Sequence, residues 1–221
     1  MADASAGSGE PRILDPIDRI SEVLFGLFMV LTFTGTLSVI DAGRDEVRDM
    51  LVAAIGCNLA WGFVDGVMYV LRNLVARGRK AALLAALRDA SPPGQAHGLI
   101  ADQIGPLAGA LGPAELERIR QWIVAHPASA GPTVAVTRAD LKGACAVFLL
   151  VFLSTFPVVL PFVFIADAAV AKRASAAVAI GMLYVCGCGW GRYAGMKAWR
   201  TGLAMVLLGV AVEAIVIALG G

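Results

Sequence analysis

From Gly143 to Ala166 the chain reads GACAVFLLVFLSTFPVVLPFVFIA, with no charged residue. A run of this length and apolarity has one stable destination. A helix rises 1.5 Å per residue, so about 20 apolar residues cross the hydrocarbon core of a bilayer with every backbone group bonded internally. Four further segments of similar length follow the same rule: Ser21 to Ile40, Met50 to Leu71, Ala174 to Tyr193 and Thr201 to Gly220. Composition agrees. Hydrophobic residues make up 58% of the 221 and charged residues only 16%, against roughly 25% charged in a soluble domain. The expected fold class is therefore all-α: a polytopic membrane protein with five transmembrane helices and a small helical cytoplasmic insert.

Charge orders these segments. Residues 1–20 read as a polar N-terminal tail without a signal peptide, with Asp15-Pro16 suited to start a helix. Residues 21–72 hold spans one and two, 73–142 the insert, and 143–221 spans three to five. With the N-terminus inside, the outer loops carry only Arg44, Arg48, Lys172 and Arg173, and the other fourteen Lys and Arg lie inside. The positive-inside rule then predicts a cytoplasmic N-terminus and an external C-terminus. A net charge of +1 offers nothing to nucleic acid. The insert reads as three short helices: KAALLAALRDA, a stripe of Ile100, Ile104, Leu107 and Leu111, and a third helix opened by Pro113. His97 and His126 are expected to be exposed or capping. The four cysteines form no CxxC pair and are expected to be small buried apolar residues, with Cys186 and Cys188 on different faces. No nucleophile–base pair, phosphate loop or zinc signature is present, so neither an enzyme nor a resident cofactor is expected.

The polar residues inside the spans are the informative ones. An acid at the centre of a spanning helix costs roughly 2.5–3.5 kcal/mol. Asp65 nevertheless sits in the second span, on one face with Asn58, Gly62, Tyr69 and Arg72. In the first span Glu22, Gly26, Met29, Phe33 and Thr36 share a face. If the two helices pack antiparallel, Glu22 and Asp65 stand at similar depth. Two acids that close cannot both hold charge cheaply, so a proton and a cation compete for them. Carboxylate and amide oxygens suit a divalent ion, and the thioethers of Met29 and Met68 favour softer ions such as ferrous iron over magnesium or calcium. The expected metal-binding residues are Glu22, Asp65, Met29, Asn58 and Met68. The competing reading is structural: Asp65 pairs with Arg72, Arg19 or Lys142, Asn58 joins helices, and the methionines fill the core. On the fifth span Glu213 is expected to snorkel or to meet Lys172 or Arg173, with the outer exit of an ion path as the alternative.

The layout resembles the vacuolar iron transporter family, including its bacterial members. GACAVFLLVFLSTFPVVLPF is similar to that family's double-proline third helix. GCGWGRYAGMKAWRTGLAMVLLGVAVEAIVIALGG is similar to its last two helices, and RISEVLFGLFMVLTF to its first. The resemblance implies a proton-coupled divalent metal cation transporter, for ferrous iron or manganese, exporting from the cytoplasm of a bacterial inner membrane. It implies a homodimer with the ion path between subunits, and Glu22 at the head of that path. The chain departs from the family at VDGVMYVLR, where Met68 stands in place of a glutamate and Asp65 lies one turn earlier. Its insert also offers few acids: Asp89, Asp102, Glu115, Glu117 and Asp140. The alternative is a helical membrane scaffold that carries no ion.

Overall fold

The computed structural model describes residues 14–35, 44–126 and 134–218. Residues 1–13 of the expected 1–20 tail, the end of the first span with Thr36, and Gly220 lie outside the described residues. The order of elements is α1 (Pro16–Gly35), α2 (Arg44–Asp89), α3 (Pro93–Ile104), a 3₁₀ helix (Gly105–Ala110), α4 (Pro113–Ala125), α5 (Arg138–Phe164), α6 (Ala168–Tyr193) and α7 (Ala198–Ala218). Among the described residues there is no strand. Helices α2, α5, α6 and α7 are long and apolar enough to cross a membrane, so the chain is all-helical and of multi-pass type. Their large apolar side chains stay exposed all round, as at Phe63, Val163, Val185 and Leu207; an outer surface of that kind is stable against lipid, not water. Helix α1 carries Asp18, Arg19 and Glu22 in its first two turns and is not among those four.

The chain forms two compact units. The first takes the residues up to Tyr69 and from Leu141 onward; the second is Val70–Asp140.

In the first unit α1 is the helix the others wrap. Its Leu24, Leu27, Val30 and Leu31 are buried together with Ala54 of α2, Val158 and Val159 of α5, and Ala179 and Leu183 of α6. Small residues set how closely the helices approach. Gly187 and Gly191 of α6 are one turn apart and face α7: a Cβ on Gly187 would stand 2.8 Å from Gly202 Cα and 2.8 Å from the Thr201 carbonyl oxygen. This is a small-xxx-small contact of the kind that packs helices in lipid. Cys188 lies against Gly202 while Cys186 joins the core around α1, so the two do occupy different faces. Cys145, expected to be buried, is exposed on α5; in an apolar span the outward face needs only an apolar residue, and a thiol serves. Helix α5 runs unbroken through Pro157 and Pro161. Beside them the buried Ser175 hydroxyl of α6 donates to the Val158 carbonyl at 2.6 Å.

In the second unit the end of α2 packs Leu84 and Leu87 against Ala96 and Ile100 of α3, with Leu116, Ile119 and Ile123 of α4 closing the cluster. Two expectations need correction. KAALLAALRDA is not a separate helix but the last stretch of α2, since nothing between Arg72 and Asp89 breaks helical geometry. The Ile100–Leu111 stripe is not one helix either. Gly105 takes a φ of 62°, Pro106 follows with no N–H to donate, and the chain tightens into the 3₁₀ helix, leaving Leu107 exposed. Pro113 does open α4 at its first turn, where the Gly112 N–H donates to Glu115 Oε2 at 2.9 Å.

Candidate functional site in the helical bundle

Register decides which polar side chains share a level. A Cβ on Gly62 of α2 would stand 3.1 Å from the Phe148 carbonyl oxygen, and one on Gly66 would stand 3.0 Å from that of Ala144. Four residues forward on α2 thus match four residues back on α5, so these helices are antiparallel. Ile20 meets Gly189, and the Gly35 carbonyl accepts from Lys172 Nζ at 3.2 Å, which makes α1 antiparallel to α6. Gly26 of α1 lies against Ser154 and Val151 of α5. The rings of Phe25 and Trp61 meet edge to face, centroids 6.1 Å apart, tying α1 to α2.

These contacts place Glu22 and Asp65 within about one helical turn of the same level. Each stands three or four residues from the Phe25–Trp61 contact, on the same side of it. Both side chains are half-buried, and Asp65 Oδ2 is withdrawn from solvent. Seven residues further along each helix, about 10 Å away, Met29 and Asn58 form a second level. Met29 is half-buried. Asn58 is 0% exposed, and neither its Nδ2 nor its Oδ1 has a hydrogen-bond partner among the described residues. The α2–α5 register sets Thr155 within about one helical turn of this level, and its Oγ1 is likewise buried without a partner among the described residues. Buried polar atoms are nearly always bonded, and leaving one unmade costs about 1–3 kcal/mol. Asn58 and Thr155 together hold three such atoms among the described residues.

Four of the five expected residues thus fall into two levels of one bundle. Met68 differs: it lies at the edge of this face, 48% exposed. Thr155 was not anticipated, because in sequence it is a hydroxyl within an apolar run and only the α2–α5 register sets its level. Among the described residues no group of three or more His, Cys, Asp or Glu side chains could hold a metal ion. Chemically, the Glu22–Asp65 level offers two carboxyl groups and the Met29–Asn58 level an amide and a thioether, with the Thr155 hydroxyl within about a turn of it. Glu213 of α7 packs its Cγ 3.6 Å from where a Cβ on Gly35 would stand, beside the carbonyl held by Lys172.

The second unit uses its acids internally. Glu117 accepts from Arg120 Nη2 at 2.7 Å and Nε at 2.9 Å, from Gln121 at 3.1 Å, and lies 2.9 Å from His97 Nε2. His97 is therefore not solitary but joins α3 to α4. The Arg120 and His97 bonds hold the Glu117 carboxyl down to about 2. His126 does cap α4, its Nδ1 2.9 Å from the Trp122 carbonyl. Asp140 was counted among the insert's few acids, but it is a structural clamp. Its carboxylate accepts from Arg77 at 2.7 and 3.1 Å, from Asn73 at 3.1 Å, and from the Thr137 N–H and hydroxyl at 2.8 and 2.7 Å. Thr137-Arg-Ala-Asp140 is a capping box at the start of α5; the T-x-x-D signal before an apolar run was legible in the sequence.

Compared with known proteins, the chain is matched by no family model and by no curated relative.

Proposed function

We propose that the protein is a five-span, proton-coupled carrier of divalent metal cations, ferrous iron or manganese, that exports them from the cytoplasm across a bacterial inner membrane. In this reading α1 is the fifth span, the N-terminus is cytoplasmic and the C-terminus external. The observation that carries the proposal is the common level of Glu22 and Asp65, with the unsatisfied Asn58 about 10 Å further along. Two acids in an apolar bundle are costly unless their charge is used, and intramembrane acids mark ion and proton pathways. A cation arriving at Glu22 and Asp65 displaces a proton and moves on to the amide and thioether level. Ligands beyond these come from water or from a second copy of the chain, since a homodimer places two α1 helices side by side.

A second reading, a helical scaffold that carries no ion, draws on the absence of a three-ligand cluster among the described residues. Flux measured in proteoliposomes separates the two. Ferrous or manganous ion uptake driven by a pH gradient is expected for the wild type. Glu22→Gln and Asp65→Asn are each expected to reduce it at least tenfold and to flatten its pH dependence. Flux unchanged in both variants removes the site, and no flux in the wild type favours the scaffold.

A further inference from the structure

We propose that the cleft between α1, α5 and α6 holds an acyl chain of an anionic phospholipid whose phosphate sits on Arg19. The cleft has a volume of about 610 Å³, within the usual range for a small-molecule site. One wall is a stripe on α5, Ala146, Leu150, Leu153 and Pro157, spaced so that all face one side. That stripe spans eleven helical steps, about 16 Å, close to one leaflet's half of a ~30 Å hydrocarbon core. Val23 of α1 and Met182 of α6, both half-buried, line it from the other helices.

The chemistry of the lining selects the occupant. Ser154 also lines the cleft, but its hydroxyl is spent on the Val151 carbonyl of its own helix at 2.7 Å. Among the described lining residues the one charge is Arg19, in the first turns of α1. Its Nε donates to the Leu14 carbonyl at 3.2 Å, which restrains the guanidinium and leaves its terminal NH₂ groups for what enters. A guanidinium is the preferred partner of a phosphate. Leu149 and Leu153 are 42% and 54% exposed on a helix apolar enough to span the bilayer, so hydrocarbon is what meets them. An apolar trough one leaflet long with a single cation among its described lining residues matches an anionic lipid in both parts. This inference does not depend on the transport reading.

The test uses the full-length protein in detergent, stripped of lipid and titrated with phosphatidylglycerol or phosphatidylcholine of identical chains, with retention read by native mass spectrometry. Phosphatidylglycerol is expected to be retained about fivefold to tenfold better, the effect of one well-placed cation. Arg19→Gln should abolish that preference and Arg19→Lys should keep part of it. Leu153→Trp, or Leu149→Trp if the first unfolds, should fill the cleft and weaken both lipids. Inorganic phosphate should not compete, because it lacks the chain. Equal retention of the two lipids, a preference that survives in Arg19→Gln, or competition by inorganic phosphate overturns the proposal. So does a cleft-filling variant that alters oligomer size while retaining lipid, which assigns the cleft to a second copy.

Discussion

Replacing Gly26 by alanine tests the contact on which the placement of Glu22 depends. A Cβ at this position would strike Ser154 Oγ and stand 2.6 Å from the Val151 carbonyl oxygen, about 0.8 Å inside the 3.4 Å of ordinary contact. Ser154 can rotate away, but the carbonyl belongs to the α5 backbone and cannot. Helix α1 or α5 must therefore shift, and overpacking of this kind costs about 1–3 kcal/mol. Alanine also favours a helix over glycine by roughly 0.5–1 kcal/mol, which would partly mask the loss. Gly181, inside α6, supplies the control: a Cβ there meets nothing within 4 Å. Comparing Gly26→Ala with Gly181→Ala cancels the propensity gain and leaves the overpacking cost alone. At about 2–4 °C per kcal/mol for a chain of this size, Gly26→Ala should unfold about 2–12 °C below Gly181→Ala. Thermal unfolding in detergent followed by tryptophan fluorescence reads the difference. Adding Ser154→Ala should recover less than half of it, because the backbone clash persists. If Gly26→Ala melts at or above Gly181→Ala, α1 does not lie against Val151, and the shared level of Glu22 and Asp65 loses one of its two supports.

Three further outcomes are expected. Thr137→Ala should cost about 0.5–2 kcal/mol through loss of the α5 cap, while Thr137→Ser should retain most of it; chemical unfolding of the two variants side by side decides, and equal loss in both would assign the effect to the methyl group. Glu117 carries a pH signature. Its carboxyl is held below its ordinary 4.5, near 2, by Arg120 and His97, so its stabilisation is fully present above pH 4.5 and is lost as pH falls toward 2. Glu117→Gln should thus speed amide exchange in α3 and α4 relative to wild type at pH 6, with the gap closing below pH 4; a gap equal at pH 6 and pH 3 would contradict the assignment. Ferrous or manganous ion at about 100 times its Kd should raise the stability of the wild type by about 2.7 kcal/mol. Asp65→Asn should lose that gain, and an equal gain in wild type and variant would place the ion elsewhere.

The unequal legibility of the chain has a physical basis. The spans and the polar faces of α1 and α2 follow from length and a 3.6-residue period, which are properties of one helix at a time. The cap at Thr137 follows from spacing within four residues. The stripe from Ile100 to Leu111 misled because periodicity describes a face and is blind to Gly105 and Pro106, where the backbone cannot continue. The partner of Asp140 was hidden for another reason: Arg77 lies 63 residues away, and a single sequence carries no measure of such distances.

By itself the sequence determined that the chain is helical, that most of it seeks a bilayer, and which residues place charge inside apolar helices. Only the tertiary structure decided which of those residues stand at one level. Depth and azimuth within a helix are set by its own repeat, but the offset between helices is set by where a glycine lets a neighbour's backbone approach. Gly26, Gly62 and Gly66 set that offset here, and through it bring Thr155 within about one turn of the level of Asn58 and Glu22 within about one turn of that of Asp65.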